Sequence, residues 1–171
     1  CVSGMAQRVS DARARGMKHV VIDPMLNMAA EKADEWIPIK PGTDGALALA
    51  LLNILLNELN IYDSDYLKHH TNAPYLIADD GYYLRDKLTK KPQVWDPVDS
   101  YAKTYDDSSI KDFALTGEFS VDGASGRPAF SLLKEHVKNY SPEFASQITG
   151  IPVETIRRIA TEFGTAARIG S

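Results

Sequence analysis

KHVVIDPMLNMAAEKADEWIPIKPGTDGALALALLNILLNELN, residues 18–60, decides the fold. His19 to Asp23 is a short apolar run closed by an acid and a proline, which predicts a buried strand ending at Asp23. Residues 27–32 predict a short helix closed by Ala33-Asp34, and Trp36 to Ile39 a second short strand beside Pro38 and Pro41. Pro41-Gly42-Thr43-Asp44 is a turn with its own helix start. Ala46 to Leu59 is apolar almost all round, so the helix it forms belongs deep in a core. The expected fold class is α/β: part of a doubly wound, Rossmann-like parallel sheet, with strands 19–23 and 36–39 parallel and helix 46–59 on one face.

In open α/β sheets ligands bind beyond the carboxyl ends of the strands, and Asp23 stands at such an end. There an acid commonly accepts from a ribose hydroxyl. Asp44 lies at or just before a helix N-terminus, where backbone N–H groups favour anions. An ionised carboxylate accepts through two oxygens. A guanine edge offers two adjacent donors, N1–H and N2–H, so one aspartate can hold guanine and turn adenine away. The competing reading is that Asp44 or Thr43 is an ordinary N-cap.

Outward from this stretch, Met5 to Gly16 predicts a helix ended by its glycine, the helical part of a βαβ unit. The first strand of that unit, with a glycine-rich phosphate loop, is expected just before Cys1, so the sequence reads as the inside of a larger protein. Asp63 or Ser64 caps a short helix to His70, and 75–78 is a brief strand. Residues 79–127 carry turn signals every few positions and predict a loop and hairpin insertion with short strands at 82–85, 94–95, 113–115 and 119–121. A helix over 128–139 follows, with Phe130, Leu132, Leu133 and Val137 inward. Ser141 caps the next helix, which Gly150 ends. The last full helix, 152–163, has Val153, Ile156, Ile159, Ala160 and Phe163 as its apolar stripe and Gly164 at its end; 166–169 opens a further strand. The chain is read as one partial cofactor-binding domain over 1–171, with its core at 1–78.

The whole chain has 171 residues, a net charge of −4 and one cysteine, Cys1. The acidic balance argues against a general nucleic-acid binder. A lone cysteine builds neither an iron–sulfur cluster nor a structural zinc site. The aspartates of the insertion lack calcium-loop spacing, and the adjacent His69 and His70 point to different faces, so no metal ligand and no catalytic residue is assigned. Helix 46–59 is about 20 Å long, short of the roughly 30 Å of a bilayer core, so no membrane insertion is expected. The compartment is not legible.

VVIDP, Ala33-Asp34 and Trp36 through Asp44 with the Leu/Ala-rich helix behind them form a pattern that resembles the molybdopterin-dinucleotide oxidoreductases, the catalytic subunits of the dimethyl-sulfoxide reductase, formate dehydrogenase and nitrate reductase superfamily. Tyr140-Ser141-Pro142-Glu143, Ile148 to Pro152 and Glu154 to Ala160 resemble a second block of the same subunits, in family order. Where the family often has arginine after the Asp-Pro pair, this chain has Met25. The resemblance implies that Asp23, Pro24, Met25, Leu26 and Asn27, together with Gly42, Thr43 and Asp44, contact a nucleotide part of a molybdopterin guanine dinucleotide cofactor of molybdenum or tungsten. It also implies that the metal ligand, the substrate funnel and any iron–sulfur cluster lie elsewhere in the full-length subunit. Its partners would be an iron–sulfur electron-transfer subunit and the rest of its own catalytic subunit; the segment alone would be inactive.

One alternative belongs to another class. Within 142–163, Phe144 to Arg158 has the form of a DNA-binding helix-turn-helix, with Thr155, Arg157 and Arg158 on its second helix. Glu143, Glu154 and Glu162 stand against it, as does the lack of a basic stripe.

Overall fold

In the computed structural model, which describes residues 3–167, the two expected strands pair in parallel: β1 (Val20–Ile22) lies beside β2 (Glu35–Ile37), with Val20 opposite Glu35 and Ile22 opposite Ile37. Helix α1 (Ser3–Ala14) precedes β1, and α2 (Met28–Glu31) connects the strands. Parallel neighbours need such a crossover because a hairpin cannot reverse the chain twice.

Helix α3 (Asp44–Asn53) packs beneath this pair and continues through a widened π turn, Ile54–Glu58. Sequence periodicity predicts one regular helix to Leu59; the widening coincides with two half-buried or buried amides. Asn57 Nδ2 donates to Asn53 Oδ1 (2.9 Å) and to the Lys134 carbonyl (2.9 Å), and Asn53 Nδ2 donates to the Tyr140 carbonyl (3.3 Å). These amides serve carbonyls at and beyond the end of α5 (Ala129–Val137), which have no partner inside that helix.

Helices α6 (Pro142–Thr149) and α7 (Val153–Ala166) close the main core. Ser141 Oγ accepts from the Phe144 N–H at 3.1 Å, Pro142 opens α6, and Gly150 ends it at φ +79° in the left-handed region. The core holds Ile37, Ile39, Leu47, Ala50, Ile54, Ala145, Ile151, Ile156 and Ala160. Ile156 is fully enclosed, so Ile156→Ala leaves a cavity that costs about 2–5 kcal/mol. Native-state hydrogen exchange in α6 and α7 should accelerate accordingly, and unchanged exchange would mean the site collapses onto the gap.

Gly164 does not end α7, which runs on to Ala166. A Cβ on Gly164 would stand 2.6 Å from Leu55 Cδ2, so this glycine lets α7 approach the end of α3. Ala166 is therefore helical rather than the opening of a strand, and residues 168–169 lie outside those described. Phe163 and Leu133, expected inward, are 67% and 40% exposed.

The middle of the chain departs furthest from expectation. Helix α4 (Ser64–His70) is capped by Asp63, whose carboxylate accepts from the Tyr66 N–H at 2.8 Å. Then β3 (Leu76–Ala78), β4 (Gln93–Asp96), β5 (Tyr101–Thr104), β6 (Phe119–Val121) and β7 (Ala124–Pro128) form two antiparallel sheets, β3-β7-β6 and β4-β5. Residues 82–85 make only isolated bridges, Tyr83 to Ile77 and Arg85 to Pro92, and 113–115 is irregular, held to β4 by the Ala114 N–H and the Trp95 carbonyl. Two strands were not anticipated. β7 reads ASGRP, a turn-like composition, yet it is the central strand of its sheet, paired on both sides with β3 and β6, and the side chain of Leu84 covers Gly126. β5 carries a lysine, Lys103, at a fully buried position.

Candidate functional site

Because β1 and β2 are parallel, the loops that follow them leave from the same edge of the sheet. All eight residues assigned to the cofactor lie in those two loops and the first turn of α3.

Asp23 follows β1 directly, and its N–H donates to the Ile37 carbonyl, continuing the ladder. Its carboxylate shapes the loop: Oδ1 accepts from the Met25 N–H and Oδ2 from Asn27 Nδ2, each at 2.8 Å. Asn27 in turn caps α2, its side-chain oxygen accepting from the Ala29 and Ala30 N–H groups. Each Asp23 oxygen keeps lone-pair capacity for a further donor such as a hydroxyl. Pro24 is exposed, and Met25, Leu26 and the neighbouring Met28 present apolar side chains to solvent at 73%, 59% and 74%.

In the second loop Gly42 adopts φ +76°, and nothing lies within 4 Å of the position a Cβ would take. Glycine is there for the left-handed backbone, with open space above it. Thr43 Oγ1 donates to the Lys40 carbonyl at 2.7 Å and makes no capping bond to α3. Asp44 is the first helical residue, not the cap; its side chain is exposed and has no hydrogen-bond or ion-pair partner among the described residues. Both carboxylate oxygens are thus free to accept, beside a helix start whose dipole favours negative charge.

Two residues of the stretch from Trp36 through Asp44 position these loops, a role not read from the sequence. Trp36 Nε1 donates to the Asp23 carbonyl at 2.9 Å, tying the first loop to β2. The Lys40 N–H donates to the Thr149 carbonyl at 3.0 Å, and the lysine stem packs over Gly150, anchoring the second loop to the end of α6. The Trp36 contact spans 13 residues and the Lys40 contact most of the chain, so neither pairing is legible from local periodicity.

The arginines of the alternative reading are engaged within the domain. Arg157 pairs with Glu58 and with Glu143 (3.2 Å), and Arg158 with Glu35 and with Glu162 (3.1 Å). Among the described residues no group of three or more His, Cys, Asp or Glu is placed to hold a metal ion, and no helix is long and apolar enough to cross a membrane.

The molybdopterin oxidoreductase family model matches residues 4–144. The chain belongs to this family. This molybdopterin oxidoreductase segment is 38% identical to a sulfite dehydrogenase subunit of Allochromatium vinosum, over 94% of its own length and 18% of that protein's. It is 33% identical to the alpha subunit of perchlorate reductase from Dechloromonas aromatica, over 94% of its own length and 22% of the relative's. Its fold also resembles acetylene hydratase from Pelobacter acetylenicus, with a TM-score of 0.54 at 23% identity over 93% of this chain and 14% of that one. The segment spans about a fifth of the length of these two curated relatives. The helix-turn-helix alternative gains no support from any of these similarities.

Proposed function

We propose that this chain is the part of a molybdenum- or tungsten-dependent catalytic subunit that grips the guanine nucleotide of a molybdopterin guanine dinucleotide, within a doubly wound, Rossmann-like domain. The observation that carries the reading is the unpartnered Asp44 carboxylate at the start of α3, on the same sheet edge as the Asp23 loop. Asp44 accepts from guanine N1–H and N2–H, Gly42 leaves room for the nucleotide to approach, and Thr43 holds the turn. The loop from Asp23 through Pro24, Met25 and Leu26 to Asn27 lies against the ribose side, with Asp23 accepting a hydroxyl. When bound, the cofactor supplies the redox-active metal, and its ligand and the substrate funnel come from other parts of the subunit. The electron path is completed by an iron–sulfur cluster elsewhere in the full-length polypeptide and by an iron–sulfur partner subunit.

Acid hydrolysis of the purified full-length subunit should release GMP. Cytosine does not offer two adjacent donors to one carboxylate, so release of CMP instead, or of no nucleotide, would overturn the assignment.

A further inference from the structure

Three of the eight tyrosines come together in the antiparallel middle of the chain. Tyr75 leads into β3, Tyr83 bridges to β3 at Ile77, and Tyr105 follows β5, whose partner β4 bridges to Tyr75 at Val94. Strand pairing therefore sets the three rings side by side. The Tyr75 ring stands between the other two, its centroid 5.6 Å from that of Tyr83, met edge-on, and 5.4 Å from that of Tyr105. Among the described residues no other tyrosine ring meets a second tyrosine; Tyr62, Tyr66 and Tyr140 meet phenylalanine or histidine instead. Ring packing alone would be served as well by phenylalanine. Of the three phenol oxygens only that of Tyr83 has a hydrogen-bond partner among the described residues, accepting from Asn72 Nδ2 at 2.8 Å.

Phenols are among the side chains that give up an electron most readily. Loss of one electron and the hydroxyl proton leaves a phenoxyl radical, shared with the ring carbons beside the oxygen. Two such radicals in contact join carbon to carbon. Each joined carbon then yields its hydrogen to a ring oxygen through water, so the pair has lost two electrons and two protons in all. The electrons pass to two equivalents of a one-electron oxidant and the protons to solvent. A chain of an oxidoreductase family works among redox-active reagents.

We propose that Tyr75, Tyr83 and Tyr105 form a trap for one-electron oxidants, in which Tyr75 and Tyr105 couple to dityrosine. Two features steer the radical away from Tyr83. The Arg85 guanidinium lies 5.9 Å from its ring centroid, and a cation there opposes loss of an electron. The Asn72 amide draws density from its oxygen. A radical formed on Tyr83 is therefore handed to Tyr75, which it touches. Burial raises the Tyr75 pKa, and Tyr105, Tyr83 and Asp106 add to it, so at neutral pH its proton has to leave with the electron. Tyr105 is 42% exposed, so oxidant and water both reach that end of the cluster.

The test is flash photolysis of tris(bipyridine)ruthenium(II) and persulfate with dilute purified protein, an equal mixture of unlabelled and heavy-nitrogen chains. Digestion on the amino side of aspartate separates the three tyrosines for mass spectrometry. The Tyr75 and Tyr105 peptides should appear joined, lighter by two hydrogens than their sum, and always from chains of one label. They should outnumber the Tyr75–Tyr83 product by about two- to fivefold, the weight of one cation over an exposed ring. Arg85→Gln should bring that ratio close to parity. Tyr105→Phe, which keeps the ring packing, should leave Tyr75–Tyr83 as the product. Scattered hydroxylation without dityrosine, coupling through the 75% exposed Tyr82, products of mixed label, or an unchanged ratio in Arg85→Gln would each overturn the proposal.

Discussion

Asp44→Asn in the full-length subunit is expected to lower affinity for the guanine dinucleotide about ten- to a hundredfold, the size of losing one charge-assisted hydrogen-bond pair. The substitution keeps size and shape. It replaces one acceptor oxygen by an NH₂ donor, which then faces a guanine donor. Had Asp44 been an ordinary cap, the change would be nearly silent, since Asn caps as well as Asp. The structure sharpens this contrast. Asp44 is the first helical residue, and neither it nor Thr43 makes a side-chain capping bond. The variant forfeits only a small charge–dipole interaction at the start of α3, so the melting temperature of the apo-protein should hardly move. Cofactor content and apo-protein melting are to be measured on one preparation. Full occupancy in the variant would remove Asp44 from nucleotide recognition.

The second large effect lies in the antiparallel middle of the chain. Lys103 Nζ is buried on β5, where it donates to Asp96 (2.8 Å), Asp99 (2.6 Å) and the Ser109 carbonyl (2.8 Å). Asp96, equally buried on β4, also accepts from the Val98, Asp99 and Lys111 N–H groups. Lys103→Met leaves the Asp96 carboxylate enclosed without its cation. Breaking a buried pair from one side is among the costliest single changes. Exchange of the β4 and β5 amides through local opening should rise roughly a hundred- to a thousandfold in the full-length subunit. Protection unchanged within about threefold would show that water replaces the ammonium.

The same cluster sets a pH window. Burial raises the Asp96 pKa, but the Lys103 ammonium and three backbone N–H groups outweigh it and hold the carboxyl well below the usual carboxylate range. Burial likewise lowers the Lys103 pKa, and Asp96 and Asp99 together override it, so the ammonium titrates above its ordinary value. A depressed acid contributes stability that is present above its unfolded pKa of about 3.9 and lost as pH falls toward its folded value. A raised lysine contributes stability present below about 10.4 and lost as pH rises through its folded value. Protection factors in β4 and β5 should therefore be level across neutral pH and fall at both extremes, and in Lys103→Met the alkaline fall should vanish.

The sequence alone determined the elements whose signals are local. Val20–Ile22 and Trp36–Ile37 are short apolar runs between turn residues, the Ser141 cap, the Asp63 or Ser64 cap (Asp63 in the structure) and the αL glycine at Gly150 are one-residue signals, and the parallel pairing of the two strands follows from the short helix between them. The resemblance of the same stretch led to the family to which the chain belongs, and the candidate loops fall at strand ends because parallel strands place them there. Tertiary structure decided what depends on neighbours distant in the chain. β7 has the composition of a turn and is a central strand only because β3 and β6 flank it. β5 hides behind Lys103, a charge that is stable inside only beside Asp96 and Asp99. Gly164 looks like a helix end and is instead a contact with Leu55. In each case the residue's intrinsic preference is worth about 1 kcal/mol or less, and packing or a paired charge outweighs it.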